Sequence, residues 1–327
     1  MVPSDFRVVE NLIDIGPQNP ESKLVLDQTY NATIWQQSVN KLRIPLKHDS
    51  GAPMNIFGNK IDNTESYAKA EHVLLKGLGG ISWACLPKNR LFVPDSVNET
   101  FSPLEQHFLE TGAMGIWRAL AARHKRLPQI GKPKGDRIEI LPVEKLPKEM
   151  EFDFRIRVRT KKDFDETGLS LSITDGFYFP SSLIVSRVLS KMTYLMLCVH
   201  SHKIAFLNCF DSLRRFIVYG NSDLYKPYIE TDSFPHLPTS DFGFTFHHLC
   251  YRKPGTNNFF LLDTLADVQL WGLRYTISLC GLTTTLQALY NKRRNEGDKC
   301  CTPYFKVVGK KKGRLDFSIE PKPTDSY

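Results

Sequence analysis

The sequence predicts a mainly β protein with a few helices, arranged as two β-sandwich-like domains, and three observations predict it. Aromatic residues make up 11% of the chain, with 21 Phe and 12 Tyr, a bias toward side chains that suit pleated, half-buried strands. Short apolar runs recur, cut by many of the 20 prolines. A stretch rich in Pro, Gly and Lys over 128–150 reads as a linker. It sets a boundary between an N-terminal β-rich domain with helices, 1–135, and a C-terminal β-sandwich-like domain with a basic tail, 136–327. The 327 residues suffice for two domains, and 41% apolar with 24% charged residues fits a folded chain rather than a disordered one.

Along the chain, Phe6–Val8, Leu24–Leu26 and Leu42–Leu46 read as short strands punctuated by Pro17, Pro20, Pro45 and Pro53. A helix is expected over about 64–76, stopped by Gly77, Gly79 and Gly80. Ser102-Pro103-Leu104-Glu105 reads as a helix start, with serine as cap, proline at the first helical position and Glu105 closing a capping box. That helix is expected to run toward Arg126. Beyond the linker, strands are expected at Phe152–Thr160, Leu169–Thr174, Leu183–Leu189, Thr193–Val199, Lys203–Cys209, Arg215–Tyr219 and Gly243–Tyr251. Lys253-Pro254-Gly255 marks a turn, Thr264 with Asp267 caps a short helix, and Leu273–Leu279 alternates as a strand.

No apolar run reaches the roughly 18 residues of a membrane span. The N-terminal stretch MVPSDFRVVENL lacks a basic segment followed by an apolar one, so no secretory signal is expected. Seven scattered cysteines fit reduced thiols in a cytosolic setting.

Charge is the strongest signal. The net charge is +8, yet Arg118–Lys162 holds fourteen basic residues against six acidic, and Lys292–Arg314 nine against two. The rest of the chain is therefore net negative, and concentrated basic surface favours a polyanion, whether nucleic acid or an acidic membrane leaflet. In the first segment the candidates are Arg118, Arg123, Lys125, Arg126, Lys132, Lys134, Arg137, Arg155, Arg157 and Arg159. In the strand FDFRIRVRTKK, Phe152, Phe154, Ile156 and Val158 share one face, and Arg155, Arg157 and Arg159 the other. These arginines either pair with carboxylates on a neighbouring strand or meet an outside anion. In the second segment Lys292, Arg293 and Arg294 form one cluster and Lys310, Lys311, Lys312 and Arg314 another, at the spacing of a two-part nuclear import signal.

Constellations for catalysis are weak. Cys198, His200 and His202 with Cys209 lack paired Cys-x-x-Cys spacing and read as ordinary strand packing. His247 and His248 point to opposite strand faces, so at most one serves Cys250. Cys300-Cys301 is a pair of thiols beside basic residues. Asp163, Asp165, Glu166 and Asp175 would be the ligands of a two-metal nuclease, but they lie in turns without regular spacing. No phosphate loop, nucleophile elbow or zinc-protease motif occurs. The expectation is a non-enzymatic protein without a cofactor.

Four stretches carry a resemblance: PVEKLPKEMEFDFRIRV, SLSITDGFYFPSSLIVSRVLSKMTYLMLCV, FTFHHLCYRK and ADVQLWGLRYTISLCGL. Their order over about 140–290 resembles the matrix proteins of paramyxoviruses and related negative-strand RNA viruses. The resemblance implies two related β-sandwich-like domains and a homodimer that tiles into a lattice beneath the membrane. It further implies basic surfaces on anionic inner-leaflet lipid, contacts with nucleocapsid and glycoprotein tails, and a place in the virion and at the inner face of the host plasma membrane, with transient nuclear passage. A second expectation is nucleic-acid binding: Leu171-Ser-Ile-Thr-Asp175 is similar to a strand ending in aspartate in plant viral movement proteins, which implies RNA as partner.

Overall fold

The computed structural model describes residues 5–16, 21–44, 51, 53–61, 64–78, 81–110, 114, 129–131, 137–141, 155–159, 182–220, 229–233, 242–253, 259–270, 273–281, 303–311 and 314–321. Strands β1 (Phe6–Asp14) and β2 (Glu21–Tyr30) open the chain, followed by helix α1 (Ala32–Lys41), the short pair β3 (Glu71–His72) and β4 (Cys85–Leu86), and helix α2 (Asp95–Glu110). Then come β5 (Gln129–Gly131), β6 (Arg137–Leu141) and β7 (Arg155–Arg159). Helices α3 (Ser182–His200), α4 (His202–Ala205) and α5 (Asp211–Tyr219) precede β8 (Ile229–Ser233), β9 (Phe242–Arg252), β10 (Phe259–Leu270) and β11 (Leu273–Ser278). Strands β12 (Pro303–Lys311) and β13 (Arg314–Pro321) close the sequence of elements.

These strands form two main sheets. The first is mixed, with the order β2-β1-β9-β10-β11-β8; β1 runs parallel to β9 and every other pair is antiparallel. The second is antiparallel, with the order β12-β13-β7-β6-β5. In and around the first sheet, helix and strand hold roughly equal numbers of residues, so this part of the structure is mixed α and β. The first sheet joins β1 and β2, from before residue 135, to β8–β11, from after it.

The largest departure from the sequence reading is α3. Leu183–Leu189 and Thr193–Val199 are one helix rather than two strands. Residues Val188 to Val199 are buried on every side, and Leu, Met, Ser and Lys are adequate helix formers. A helix enclosed all round has no polar stripe, so it shows no 3.6-residue period and its apolar run imitates buried strands. By length and composition Leu183–His200 would also cross a membrane, with a mean hydropathy of 1.3, against the expectation that no run reaches that mark. Here 72% of that window is buried inside the protein, which accounts for its apolar length.

Other expected strands are also helical: Lys203–Cys209 becomes α4 and a 3-10 turn at Asn208–Phe210, and Arg215–Tyr219 lies in α5. Gly220, at φ 73, ends α5 in the left-handed region that suits glycine. Leu42 closes α1 rather than opening a strand, and Asn31 starts that helix by accepting hydrogen bonds from the Thr33 and Ile34 N–H groups, each at 3.0 Å. The helix expected over 64–76 is replaced by β3 and a 3-10 turn at Lys76–Leu78. Helix α2 begins at Asp95, so Ser102 and Pro103 lie inside it rather than at its start. Thr264 and Asp267 sit within β10 because each has a cross-strand partner: Thr264 bonds His248, and Asp267 accepts from Thr276. The strands expected at Phe6–Val8, Leu24–Leu26, Gly243–Tyr251 and Leu273–Leu279 are present within or as β1, β2, β9 and β11, the last ending one residue early at Ser278. Leu169–Thr174 lies outside the described residues.

The core gathers around α3, which packs on α1, α2, α5 and β11. Phe6 stacks on Tyr30 at 5.3 Å and on Trp83 at 5.5 Å, and Trp35 meets Phe6, Tyr30 and Trp83 edge-on. This nest seals β1 and β2 against the helical side.

Candidate anion-binding surface

The second sheet places the expected arginine strand, β7, between β6 and β13, and its register separates the arginines. Positions directly opposite one another on antiparallel strands lie on the same face of the sheet. Arg159 stands opposite Arg137 on β6 and Arg314 on β13, and Arg314 in turn stands opposite Lys311 on β12. Four cations therefore occupy one row across four adjacent strands, spanning about 14 Å at the usual strand spacing. Two residues along on the same face, Arg157 stands opposite Glu139 on one side and Asp316 on the other. Arg155 stands opposite Leu141.

The alternate positions form the other face: Ile130, Ile138, Ile140, Ile156, Val158, Leu315 and Phe317. A two-residue period thus sorts this sheet into an apolar face and a charged one. Lys310 stands opposite Leu315, on the apolar-side register, so the tail cluster is divided between faces. Arg118, Arg123, Lys125, Arg126, Lys132, Lys134, Lys292, Arg293, Arg294 and Lys312 lie outside the described residues, as do Asp163, Asp165, Glu166 and Asp175.

A feature missed in the sequence lies on the first sheet. Where β9 and β10 approach their connection, Tyr251, Phe259, Phe260 and Leu262 are exposed, and Arg252 sits over the Phe259 ring at 5.1 Å. Large apolar residues and Arg252, whose guanidinium also lies 3.7 Å from Asp14, make this tip amphipathic. The signal was present as YRK followed by FFLL, but the sequence does not say which side of these strands is left uncovered.

The interior holds polar clusters that could be mistaken for catalytic ones. Glu10, on β1, accepts from His248 Nε2 at 3.0 Å, and His248 Nδ1 lies 2.8 Å from the Thr264 hydroxyl. His200 Nε2 is 3.7 Å from the same carboxylate, and its Nδ1 is 2.8 Å from the Tyr30 hydroxyl. Burial alone would push the Glu10 carboxyl up, but bonds from His248 and Ser201 and the nearby histidine charge outweigh it and hold it below its ordinary value. Burial lowers His200 against the pull of Glu10, and raises Tyr30 to about 12. The ring is closed off from solvent and ties β1, β9 and the end of α3 together.

Lys191, buried on α3, bridges Glu71 at 2.7 Å and Glu105 at 2.5 Å and lies 4.4 Å from the Phe101 ring centre. Burial lifts Glu71 to about 6, opposed by Lys191 and reinforced by Glu105. The small hollow beside it, lined by Tyr67, Lys69, Glu71 and Phe92, measures about 170 Å³ including open solvent.

Cys250 and His248 do not form the nucleophile–histidine pair considered from the sequence. Burial raises Cys198 to about 12 and Cys250 to about 11, which keeps both protonated, and His248 beside Cys250 in sequence is engaged by Glu10 and Thr264. Cys198 and His200 belong to α3 rather than to a strand, and among the described residues no cluster of three His, Cys, Asp or Glu side chains is placed to hold a metal ion.

Compared with known proteins, the chain matches no protein-family model, no curated protein and no solved structure.

Proposed function

We propose that this protein is a peripheral scaffold of viral-matrix type that binds anionic inner-leaflet membrane through its second sheet. The observation that carries the reading is the row Arg137, Arg159, Arg314 and Lys311. Like charges directly opposite one another weaken a sheet, and an external anion offsets that cost. Neighbouring Arg157 has carboxylates opposite it on both sides, so the row is a local surplus and not a general excess of arginine.

Each cation near an acidic leaflet contributes about 1 kcal/mol, and repetition in an assembly multiplies the effect. The exposed apolar side chains at the tip of β9 and β10 offer a lipid surface apolar contact in addition to charge. The reading includes a finer architecture of two β-sandwich-like domains. Its support is the single apolar face of the second sheet, which requires a covering layer. The remaining partners, a second copy, nucleocapsid and glycoprotein tails, rest on the resemblance of the four sequence stretches to matrix proteins.

Flotation of the full chain with vesicles tests the reading. Recovery with phosphatidylserine vesicles, loss with phosphatidylcholine alone and loss at high salt are expected. Indifference to lipid charge, or tighter binding to single-stranded RNA than to acidic vesicles at the same salt, overturns it.

A further inference from the structure

Cys209 and Cys280 come from distant parts of the chain and meet beside β10. Cys209 sits in the 3-10 turn Asn208–Phe210 that leads into α5, and this turn packs on β10. Cys280 lies just past the end of β11 and is anchored to β10 as well. Its N–H donates to Asp263 Oδ1 at 2.8 Å, the Ser278 hydroxyl donates to Asp263 Oδ2 at 2.8 Å, and the Leu279 N–H donates to the Thr264 carbonyl at 2.8 Å. Leu262, just before Asp263, has no counterpart on β9, and a bulge of this kind re-aims the side chain beside it. The two thiols are hydrogen-bonded to each other, Cys280 donating and Cys209 accepting.

Access and charge set this pair apart from the other described thiols. Both members are partly exposed, whereas Cys198 and Cys250 are buried. The Cys280 thiol holds Cys209 below its ordinary value against the effect of burial, and Arg214 acts weakly in the same sense. The same bond, together with burial, pushes Cys280 up. Cys85 is partly exposed too, but burial raises it. Cys209 therefore carries the most thiolate character, and a thiolate is the species that attacks a disulfide.

We propose that Cys209 and Cys280 form a reversible disulfide within the chain, closed by a small-molecule disulfide such as oxidised glutathione. The Cys209 thiolate attacks one sulfur of the oxidant, forming a mixed disulfide and releasing one glutathione thiolate. Cys280 then attacks the Cys209 sulfur, and the second glutathione leaves as a thiolate and takes up the Cys280 proton. The two protein thiols are oxidised to one disulfide, and the oxidant is reduced to two glutathione molecules. The bond closes a loop of about 70 residues that carries α5 and β8 to β11, and constraining a loop of that length in the unfolded chain favours the folded state. This inference goes beyond the membrane reading and does not depend on it.

Mass spectrometry of the full chain tests it. The reduced protein is treated with oxidised glutathione, its remaining thiols are blocked with N-ethylmaleimide under denaturing conditions, and it is digested with trypsin without reduction. Peptides 204–214 and 275–292, each with a single cysteine, are expected joined and two hydrogens lighter than their sum, and separated again by dithiothreitol. Peptide 192–203, with Cys198, is expected free and alkylated. Cys209→Ser is expected to abolish the joined peptide, while Cys280→Ser leaves Cys209 carrying glutathione. The oxidised wild type is expected to have a higher urea midpoint than the reduced, a difference that Cys209→Ser lacks. Recovery of Cys209 wholly alkylated, joining of 204–214 to the Cys300–Cys301 peptide 300–306 as readily as to 275–292, or an oxidised midpoint at or below the reduced one overturns the proposal.

Discussion

Arg157 and Arg159 are two residues apart on one strand and one face, yet the register gives them different company. Arg157 stands between Glu139 and Asp316, whereas Arg159 stands between Arg137 and Arg314. Cross-strand opposite charges stabilise a sheet by about 0.2–1 kcal/mol each, and like charges weaken it. Arg157→Gln is therefore expected to lower the urea midpoint slightly and leave vesicle binding intact, while Arg159→Gln leaves stability unchanged or improved and weakens binding. A second residue-scale prediction concerns Glu71. Its carboxyl, lifted by burial to about 6, lies above its unfolded value of 4.5. The folded state thus binds the proton more tightly, so this contribution, roughly 2 kcal/mol, is full below pH 4.5 and lost as pH rises through 6. Glu10 and His200 act in the opposite sense: both are shifted down, so their contributions are present at neutral pH and lost on acidification. Urea midpoints measured across pH 4 to 7 are expected to lose part of the decline between 4.5 and 6 in Glu71→Gln; an identical slope in the variant would contradict the assignment. Lys191→Met, which leaves Glu71 and Glu105 facing each other without a cation, is expected to cost about 3–5 kcal/mol by the same measurement.

At the scale of elements, the sequence was legible where a residue's neighbours are local and illegible where they are distant. The strand through Arg155–Arg159 and the alternation of Leu273–Ser278 follow from a period of two alone. Helix α3 imitates strands in the sequence because the signal for a helix is contrast between faces, and burial on every side removes that contrast. Thr264 and Asp267 look like a helix cap in one dimension; their partners His248 and Thr276 come from β9 and β11. The four-cation row was half visible. A period of two puts Arg155, Arg157 and Arg159 on one face, but that Arg137, Arg314 and Lys311 align with the last of them is a fact of strand order. The exposed tip of β9 and β10 is hidden in one dimension, because FFLL lies between the turn at Lys253–Gly255 and an apparent helix cap at Thr264 and shows no alternation that marks a strand face. Two substitutions test the helical elements by chemical denaturation. Leu195→Ala, at the centre of α3, is expected to cost about 2–5 kcal/mol, and Asn31→Ala, removing the α1 cap, about 1 kcal/mol. A cost near zero at Leu195 would contradict its burial.

On the scale of the whole molecule, the two sheets divide the work proposed for them. The first, closed around α3 and the aromatic nest of Phe6, Tyr30, Trp35 and Trp83, supplies the stable body. The second concentrates charge on one face and apolar positions on the other. If the proposed second copy joins, the number of cationic rows on one assembly doubles and vesicle affinity rises through multivalency. Salt is expected to act on vesicle binding far more than on folding, since the row is a surplus of one sign while the buried ion pairs are screened little. The most direct test of the central claim is vesicle flotation of the variant Arg159→Gln/Arg314→Gln/Lys311→Gln beside Arg157→Gln, at low salt and with phosphatidylserine. The account predicts that the triple variant stays folded and fails to float while Arg157→Gln floats like the wild type. Equal flotation of both variants would contradict it.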